Sequence, residues 1–378
     1  MKTQKYSRLD ANLNSIISIC YYGRSGSVFL QSLLDDHPNL IAFPGTYLMG
    51  YQEWWDSLSE HGSTFCAEEF LRDYKVIFDP EHVSEQPLAG CGESAGLGLN
   101  FHKAGEYEDR HIKVDRPLFE KALFELVQES HQESASSFFK KLHFALAKAL
   151  GKSVNERTKI VFSLHSPALR RSKFIIKDFE DRKFIHVIRD PVTAAYSLYK
   201  HYEWNGFNIG LAGVIAAMNA FAPISGEDEN SRAVKLEDLH FAPRETLNKI
   251  CNWINIEWSD TLLESTFLGV KWGNMAGTER VSGFNQVIPN KTHSDICSEL
   301  DRARLAWVFG PLYKKWCYHR PDLHVRFYDF FRRFQIEKTC NLRTMTANRL
   351  CFLRTAVTND KAIRALFRRS HKPIIRLL

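Results

Sequence analysis

Ile16-Ile17-Ser18-Ile19-Cys20-Tyr21-Tyr22-Gly23-Arg24-Ser25-Gly26-Ser27-Val28-Phe29-Leu30-Gln31-Ser32-Leu33-Leu34 is the stretch on which the fold turns. Its first six residues are mostly apolar and β-branched, which predicts a strand over Ile16 to Tyr21. Phe29, Leu30, Leu33 and Leu34 then recur at helical spacing, and His37-Pro38 ends that helix because the residue before a proline is pushed out of the α region. Between strand and helix lies Gly23-Arg24-Ser25-Gly26-Ser27. Strand, glycine-bearing turn and helix in that order give the geometry of a phosphate-binding loop. The glycines let the backbone close around an anion, and the free N–H groups of a helix start favour its charge. Arg24 adds a charged fork and Ser27 a hydroxyl. A plain turn can carry the same glycines, so this loop needs support from elsewhere in the chain.

Working outward, Lys159 to His165 reads as a second strand. Lys183 to Ile188 reads as a third, nearly continuous in apolar residues as a central parallel strand should be. Asp190 suits an N-cap and Pro191 the first helical position, which predicts a helix from Pro191 to about His201. Ala233 to Leu236 reads as a further strand before a helix over Pro243 to Trp253. This alternation predicts an α/β fold with a central parallel sheet flanked by helices. Residues 47–155 read as a largely helical insertion, with amphipathic helices within Leu118 to Leu150 and an aromatic cluster of Tyr47, Tyr51, Trp54 and Trp55.

The 378 residues are 44% hydrophobic and 25% charged, which supports a substantial core and excludes wholesale disorder. The eight cysteines are scattered, with no CxxC pair, so neither a zinc site nor a disulfide framework is expected and a reducing compartment fits. Met1 to Asn14 is polar, and Ile209 to Ile224 falls short of the roughly 20 apolar residues of a membrane span, so a buried helix and a cytoplasmic protein are expected. Charge is uneven. Residues 331–378 hold twelve Lys or Arg against Glu337 and Asp360, a net +10, which leaves −4 of the chain's +6 on the first 330 residues. The reading is therefore one domain over 1–330 and a basic C-terminal segment over 331–378. That segment mixes arginines with Leu366, Phe367, Ile374 and Ile375, a mixture suited to an anionic surface or a membrane.

The first loop departs from the Walker A pattern G-x-x-x-x-G-K-[ST], because Ser27 and Val28 follow Gly26 and no lysine is there to cover β- and γ-phosphates. A P-loop small-molecule or sugar kinase is thereby disfavoured. In contrast, Tyr22 to Leu30 with His37-Pro38 resembles the 5′-phosphosulfate loop of sulfotransferases that use 3′-phosphoadenosine 5′-phosphosulfate (PAPS). Phe184 to His201 resembles their 3′-phosphate element, an arginine ending a strand and a serine eight residues later, here Arg189 and Ser197. Val234 to Pro243 is similar to the family's "YEDL…P" segment, and Lys271 to Met275 to a loop of bacterial members.

The resemblance implies a P-loop NTPase-like three-layer fold, and sulfuryl transfer from PAPS to a hydroxyl, or as second choice an amine, of a small-molecule or carbohydrate acceptor. It implies Gly23, Arg24, Ser25, Gly26, Ser27, Val28, Phe29, Arg189 and Ser197 as donor-binding residues, with Phe29 at the position whose ring stacks on adenine. Residue spacing agrees with the clamp: Ser197 lies roughly 9 Å along the helix from Pro191, so the long stem of Arg189 must reach toward the same anion. Val161-Phe-Ser-Leu-His-Ser-Pro167 is similar to the stretch that carries the histidine base of cytosolic members, which places the base at His165. A histidine titrates in the working range, which suits the role. Two departures stand out: Arg24 takes a lysine position, and Ser163 replaces another lysine. Glu53 and Glu93 are the fallback bases. No metal is expected, since the transferred group carries a single charge, and no nucleic-acid partner is expected. A non-catalytic nucleotide-binding protein of the same fold is the remaining alternative.

Overall fold

A computed structural model of the chain describes residues 13–45, 47–48, 50–58, 61–79, 103–106, 110–127, 133–165, 173–204, 210–220, 229–276, 279–286, 297–321 and 377–378. Its strands in chain order are β1 (Ser15–Tyr21), β2 (Leu40–Ala42), β3 (Lys103–Ala104), β4 (Arg110–His111), β5 (Lys159–His165), β6 (Asp181–Ile188), β7 (Ser231–Lys235), β8 (Thr266–Phe267), β9 (Val270–Lys271), β10 (Gly273–Ala276) and β11 (Glu279–Ser282). Five of them form the central parallel sheet in the order β2-β5-β1-β6-β7, flanked by helices. The register of β2 on β5 pairs Leu40 with Lys159 and Ala42 with Val161. The remaining six make three antiparallel pairs, β3 with β4, β8 with β9 and β10 with β11.

The sheet order positions the site. From β1 the chain crosses to β2 on one side, and from β6 it continues to β7 on the other. The order therefore reverses between the neighbours β1 and β6. In an open α/β sheet the ligand crevice opens beyond the carboxyl ends of the strands at that reversal. The two turns singled out from the sequence follow those very strands, at Tyr22–Gly26 and at Arg189–Asp190.

The chain divides into two compact units. The first comprises residues 1–20, 27–185 and 238–285. Its core is strongly aromatic. Trp54 packs edge-on against Phe70 and Tyr74, with ring centroids 5.8 Å and 5.6 Å away, and Tyr51 lies 4.9 Å from Phe139. Tyr47, Tyr51, Trp54 and Trp55 are at most 5% exposed, so these rings pack on neighbouring side chains instead of forming an open stacking platform. Each such buried ring contributes roughly 1.5–3 kcal/mol relative to exposure. The Tyr51 hydroxyl donates to Ala135 O at 2.6 Å and Trp54 Nε1–H to Asp73 at 3.0 Å, which satisfies the polar ends. Helices Arg116–Val127 and Ala135–Ala149 lie in the stretch where the sequence predicts them, the second capped by Ser134, whose hydroxyl accepts from Ser137 N–H at 3.1 Å. Helix Pro243–Ile254 opens on its proline and closes on Asn255 in the left-handed region at φ 54°.

The second unit comprises residues 21–26, 186–237 and 286–378. Its core gathers Ile188, Val192, Tyr196, Leu305, Phe309 and Trp316. Helix Pro191–Trp204 begins as the sequence predicts. Asp190 is its N-cap, with its carboxylate accepting Thr193 N–H at 2.8 Å and the Thr193 hydroxyl at 2.7 Å. Helix Gly210–Ala220 occupies the most apolar stretch, and among the described residues no helix is long and apolar enough to cross a membrane. The expected strand Ala233 to Leu236 is shifted: β7 ends at Lys235, and Leu236 starts the helix Leu236–Phe241. Of the basic segment 331–378, only Leu377 and Leu378 are among the described residues. Leu377 bridges Ala233 in parallel, and Leu378 N–H donates to Ala233 O at 3.0 Å.

Candidate active site

The first turn is built from backbone conformations that few sequences tolerate. Gly23, Arg24 and Gly26 all sit at positive φ, 42°, 53° and 93°. At Gly26 a Cβ would also meet the end of the Leu236 side chain, which would have to shift to admit it. Arg24 occupies the left-handed region without being glycine, a conformation that costs an L-residue roughly 1–2 kcal/mol and persists where the surroundings impose it. The turn is locked from within by Ser25, whose buried hydroxyl oxygen accepts Tyr22 N–H at 3.2 Å. Ser27, buried, begins the helix Ser27–Leu34, and Val28 beside it is half-buried. Tyr22 is anchored in turn: its hydroxyl is 2.6 Å from His186 Nδ1 and its ring 5.5 Å from that of Trp316. Burial, then the nearby Lys315 charge, push His186 down to about 3, so this imidazole is neutral and serves as a hydrogen-bonding prop for the loop.

Arg24 is solvent-exposed, yet desolvation lowers its pKa. Among the described residues it has no carboxylate partner. Arg189, at the end of β6, is 4% exposed. Burial holds its pKa below the ordinary value; Glu237 works against that depression and Arg24 adds to it. Arg24 and Arg189 are thus two like charges within electrostatic reach of one another in one compact unit. The same Arg24 charge, after burial, helps bring His201 down to about 4. His201 and Ser197 lie four residues apart on helix Pro191–Trp204, hence on one face, and both are half-buried. Two guanidinium groups within electrostatic reach of one another repel, and anionic groups bound to them offset that repulsion.

The remaining candidates fall as follows. Phe29 is 6% exposed and stacks on His240 with centroids 4.6 Å apart and planes at 7°, while Phe284 meets it edge-on at 5.7 Å. His165 is the last residue of β5; its side chain is outside the described residues, as is the whole of Glu93. Ser163, two residues before it, is buried and donates to Gln31 Oε1 at 3.0 Å, while Gln31 Nε2–H donates to Phe43 O at 2.8 Å. The lysine-to-serine departure therefore leaves a neutral, fully engaged hydroxyl on this strand. Glu53 is half-buried in the first turn of helix Tyr51–Leu58. Lys271 to Met275, similar in sequence to a loop of bacterial members, runs from the end of β9 through Trp272 into β10. Among the described residues no three His, Cys, Asp or Glu side chains cluster as metal ligands would, and the five described cysteines are free.

The sequence reading missed Glu237 and Tyr318. The Tyr318 hydroxyl donates to one Glu237 carboxylate oxygen, and Asp190 N–H donates to the other at 3.1 Å. Glu237 had a local signal, an acidic residue directly after a strand whose neighbour ends in arginine. Tyr318, 81 positions away, had none.

Fold and turns together define an α/β protein with paired cationic turns at the carboxyl ends of adjacent strands. The model of the sulfotransferase family matches residues 17–260, and the chain belongs to that family, whose chemistry is sulfuryl transfer. Solved structures similar to it include the sulfotransferase domain of the curacin biosynthetic pathway, at 15% identity, covering 82% of this chain and 100% of that one with a TM-score of 0.44. Others are the sulfotransferase domain of the Synechococcus PCC 7002 olefin synthase (17% identity, 67% and 78% covered, TM-score 0.38) and sulfotransferase STF9 from Mycobacterium avium (14%, 69% and 69%, 0.34). A search of curated proteins finds no match.

Proposed function

We propose that the chain transfers the sulfuryl group of PAPS to a hydroxyl, or as second choice an amine, of a small-molecule or carbohydrate acceptor. The observation that carries this reading is the like-charged pair Arg24 and Arg189 at the ends of neighbouring strands. A donor with a phosphosulfate at its 5′ position and a phosphate at its 3′ position gives each guanidinium an anion. In this reading Gly23 to Val28 cradle the 5′-phosphosulfate, Arg189 and Ser197 take the 3′-phosphate, and Phe29 with His240 forms the ring stack beside the adenine.

The acceptor oxygen attacks sulfur in line with the departing phosphate oxygen. The new S–O bond forms as the sulfur–phosphate bridge breaks, leaving sulfated acceptor and adenosine 3′,5′-bisphosphate. Charge grows on the leaving phosphate, where Arg24 and the loop amides stabilise it. His165 takes the acceptor proton. The sulfotransferase domain occupies 1–330, with 47–155 as its acceptor-side cap, and 331–378 contacts an anionic surface or membrane. The protein acts in the cytoplasm, in keeping with the five free cysteines among the described residues.

The test is transfer of labelled sulfuryl from PAPS to acceptors in a cell extract, with wild type and His165→Ala side by side. The variant is expected to lose about 10²–10⁴-fold in kcat, the usual worth of a general base, with donor affinity within about 3-fold. Unchanged turnover would remove His165 from the role, and no labelled product from wild type would defeat the activity itself.

A further inference from the structure

The junction Leu236–Glu237, where β7 gives way to a helix, touches both cationic turns. Leu236 packs its side chain against Gly26, and a Cβ added there would have to displace it. One residue on, the Glu237 carboxylate accepts Asp190 N–H at 3.1 Å and the Tyr318 hydroxyl, and it lies within electrostatic reach of Arg189. The neighbouring carboxylate of Asp190 is engaged elsewhere, by Thr193 N–H and Oγ1 and by the Tyr313 hydroxyl at 2.6 Å. Glu237 is half-buried, and burial raises its pKa against the effect of its hydrogen-bond partners. A carboxylate so placed works against anion binding by simple repulsion. Its place within electrostatic reach of Arg189 calls for another role.

We propose that Glu237, held by Tyr318, is a positioning residue of the anion clamp: it fixes the Arg189 turn through the Asp190 amide and orients the guanidinium. The proposal rests on the sulfotransferase reading above for the identity of the ligand. A positioning role and a mere charge-offsetting role predict opposite signs. If Glu237 only offset charge, its removal would tighten binding of every anion at the site. If it positions Arg189, its removal weakens binding of the ligand phosphate that Arg189 takes and leaves the other end alone.

The experiment is calorimetric titration of the full chain and its Glu237→Ala, Glu237→Gln and Tyr318→Phe variants with adenosine 3′,5′-bisphosphate and with 5′-AMP. Glu237→Ala is expected to weaken the bisphosphate about 10-fold or more, as loss of an outer orienting contact commonly does. Glu237→Gln keeps an oxygen for the Asp190 amide and should stay within about 3-fold, with Tyr318→Phe weaker by a similar factor. Affinity for 5′-AMP should move less than about 2-fold throughout. Tighter or unchanged bisphosphate binding in Glu237→Ala, or parallel losses for both nucleotides, overturns the proposal. Should that variant fail to fold, an unchanged bisphosphate affinity in Tyr318→Phe overturns it equally. A wild-type chain that does not distinguish the two nucleotides would sink the donor assignment instead. The same variants titrated with inorganic pyrophosphate then read Glu237 alone, weaker binding upholding its role and unchanged or tighter binding ending it.

Discussion

Arg189→Ala is expected to lower affinity for adenosine 3′,5′-bisphosphate about 100-fold, or about 3 kcal/mol, while affinity for 5′-AMP changes less than about 3-fold. The magnitude follows from burial. At 4% exposure Arg189 keeps little water, so an anion it holds gains a charge-assisted contact that bulk solvent does not replace. Truncation also removes the cation within electrostatic reach of Glu237, and an uncompensated carboxylate near a phosphate adds repulsion to the lost attraction. Arg189→Lys should recover only part of the loss, because an ammonium cannot reproduce the planar fork of the guanidinium. Isothermal titration of the three proteins with both nucleotides gives the answer. Equal losses for the bisphosphate and for 5′-AMP would mean that Arg189 acts on the fold of the site and not on the 3′-phosphate.

The second large effect concerns Arg24 and separates function from stability. Arg24→Gly should reduce kcat on the order of 10²–10³-fold, the usual consequence of removing a group that meets charge developing in the transition state. Its thermal midpoint should stay level or rise by no more than a few degrees. Glycine accepts φ 53° without the Cβ penalty, and the substitution removes the repulsion between Arg24 and Arg189. A lower midpoint together with lost activity would show that Arg24 is a structural residue of the turn. Arg24→Lys restores a cation at the price of leaving the strain, so it should recover activity but not the thermal gain.

Much of the frame was legible because its signals are local. The apolar run Ile16 to Tyr21, the helical spacing of Phe29 to Leu34 and the Asp190-Pro191 cap each act over a few residues, and the structure places β1, the helix Ser27–Leu34 and the helix Pro191–Trp204 there. Leu236 shows where local reading ends. It continues an apolar run and was expected in a strand, yet its side chain is used against Gly26 and its backbone begins a helix. The two-residue strands β3, β4, β8 and β9 carry no periodicity to read. The Glu237–Tyr318 contact joins positions far apart in sequence, and only the folded chain brings them together. Phe29 was expected at the position whose ring meets adenine; its stacking on His240 depends on a partner more than 200 positions away.

The most direct test of the account is titration of the wild-type chain with adenosine 3′,5′-bisphosphate, 5′-AMP and Mg-ATP. Paired guanidinium groups on one ligand predict that the bisphosphate binds at least about 30-fold more tightly than 5′-AMP, a difference of about 2 kcal/mol, with Mg-ATP far weaker than the bisphosphate. Equal affinity for the bisphosphate and 5′-AMP, or a preference for Mg-ATP, would contradict it.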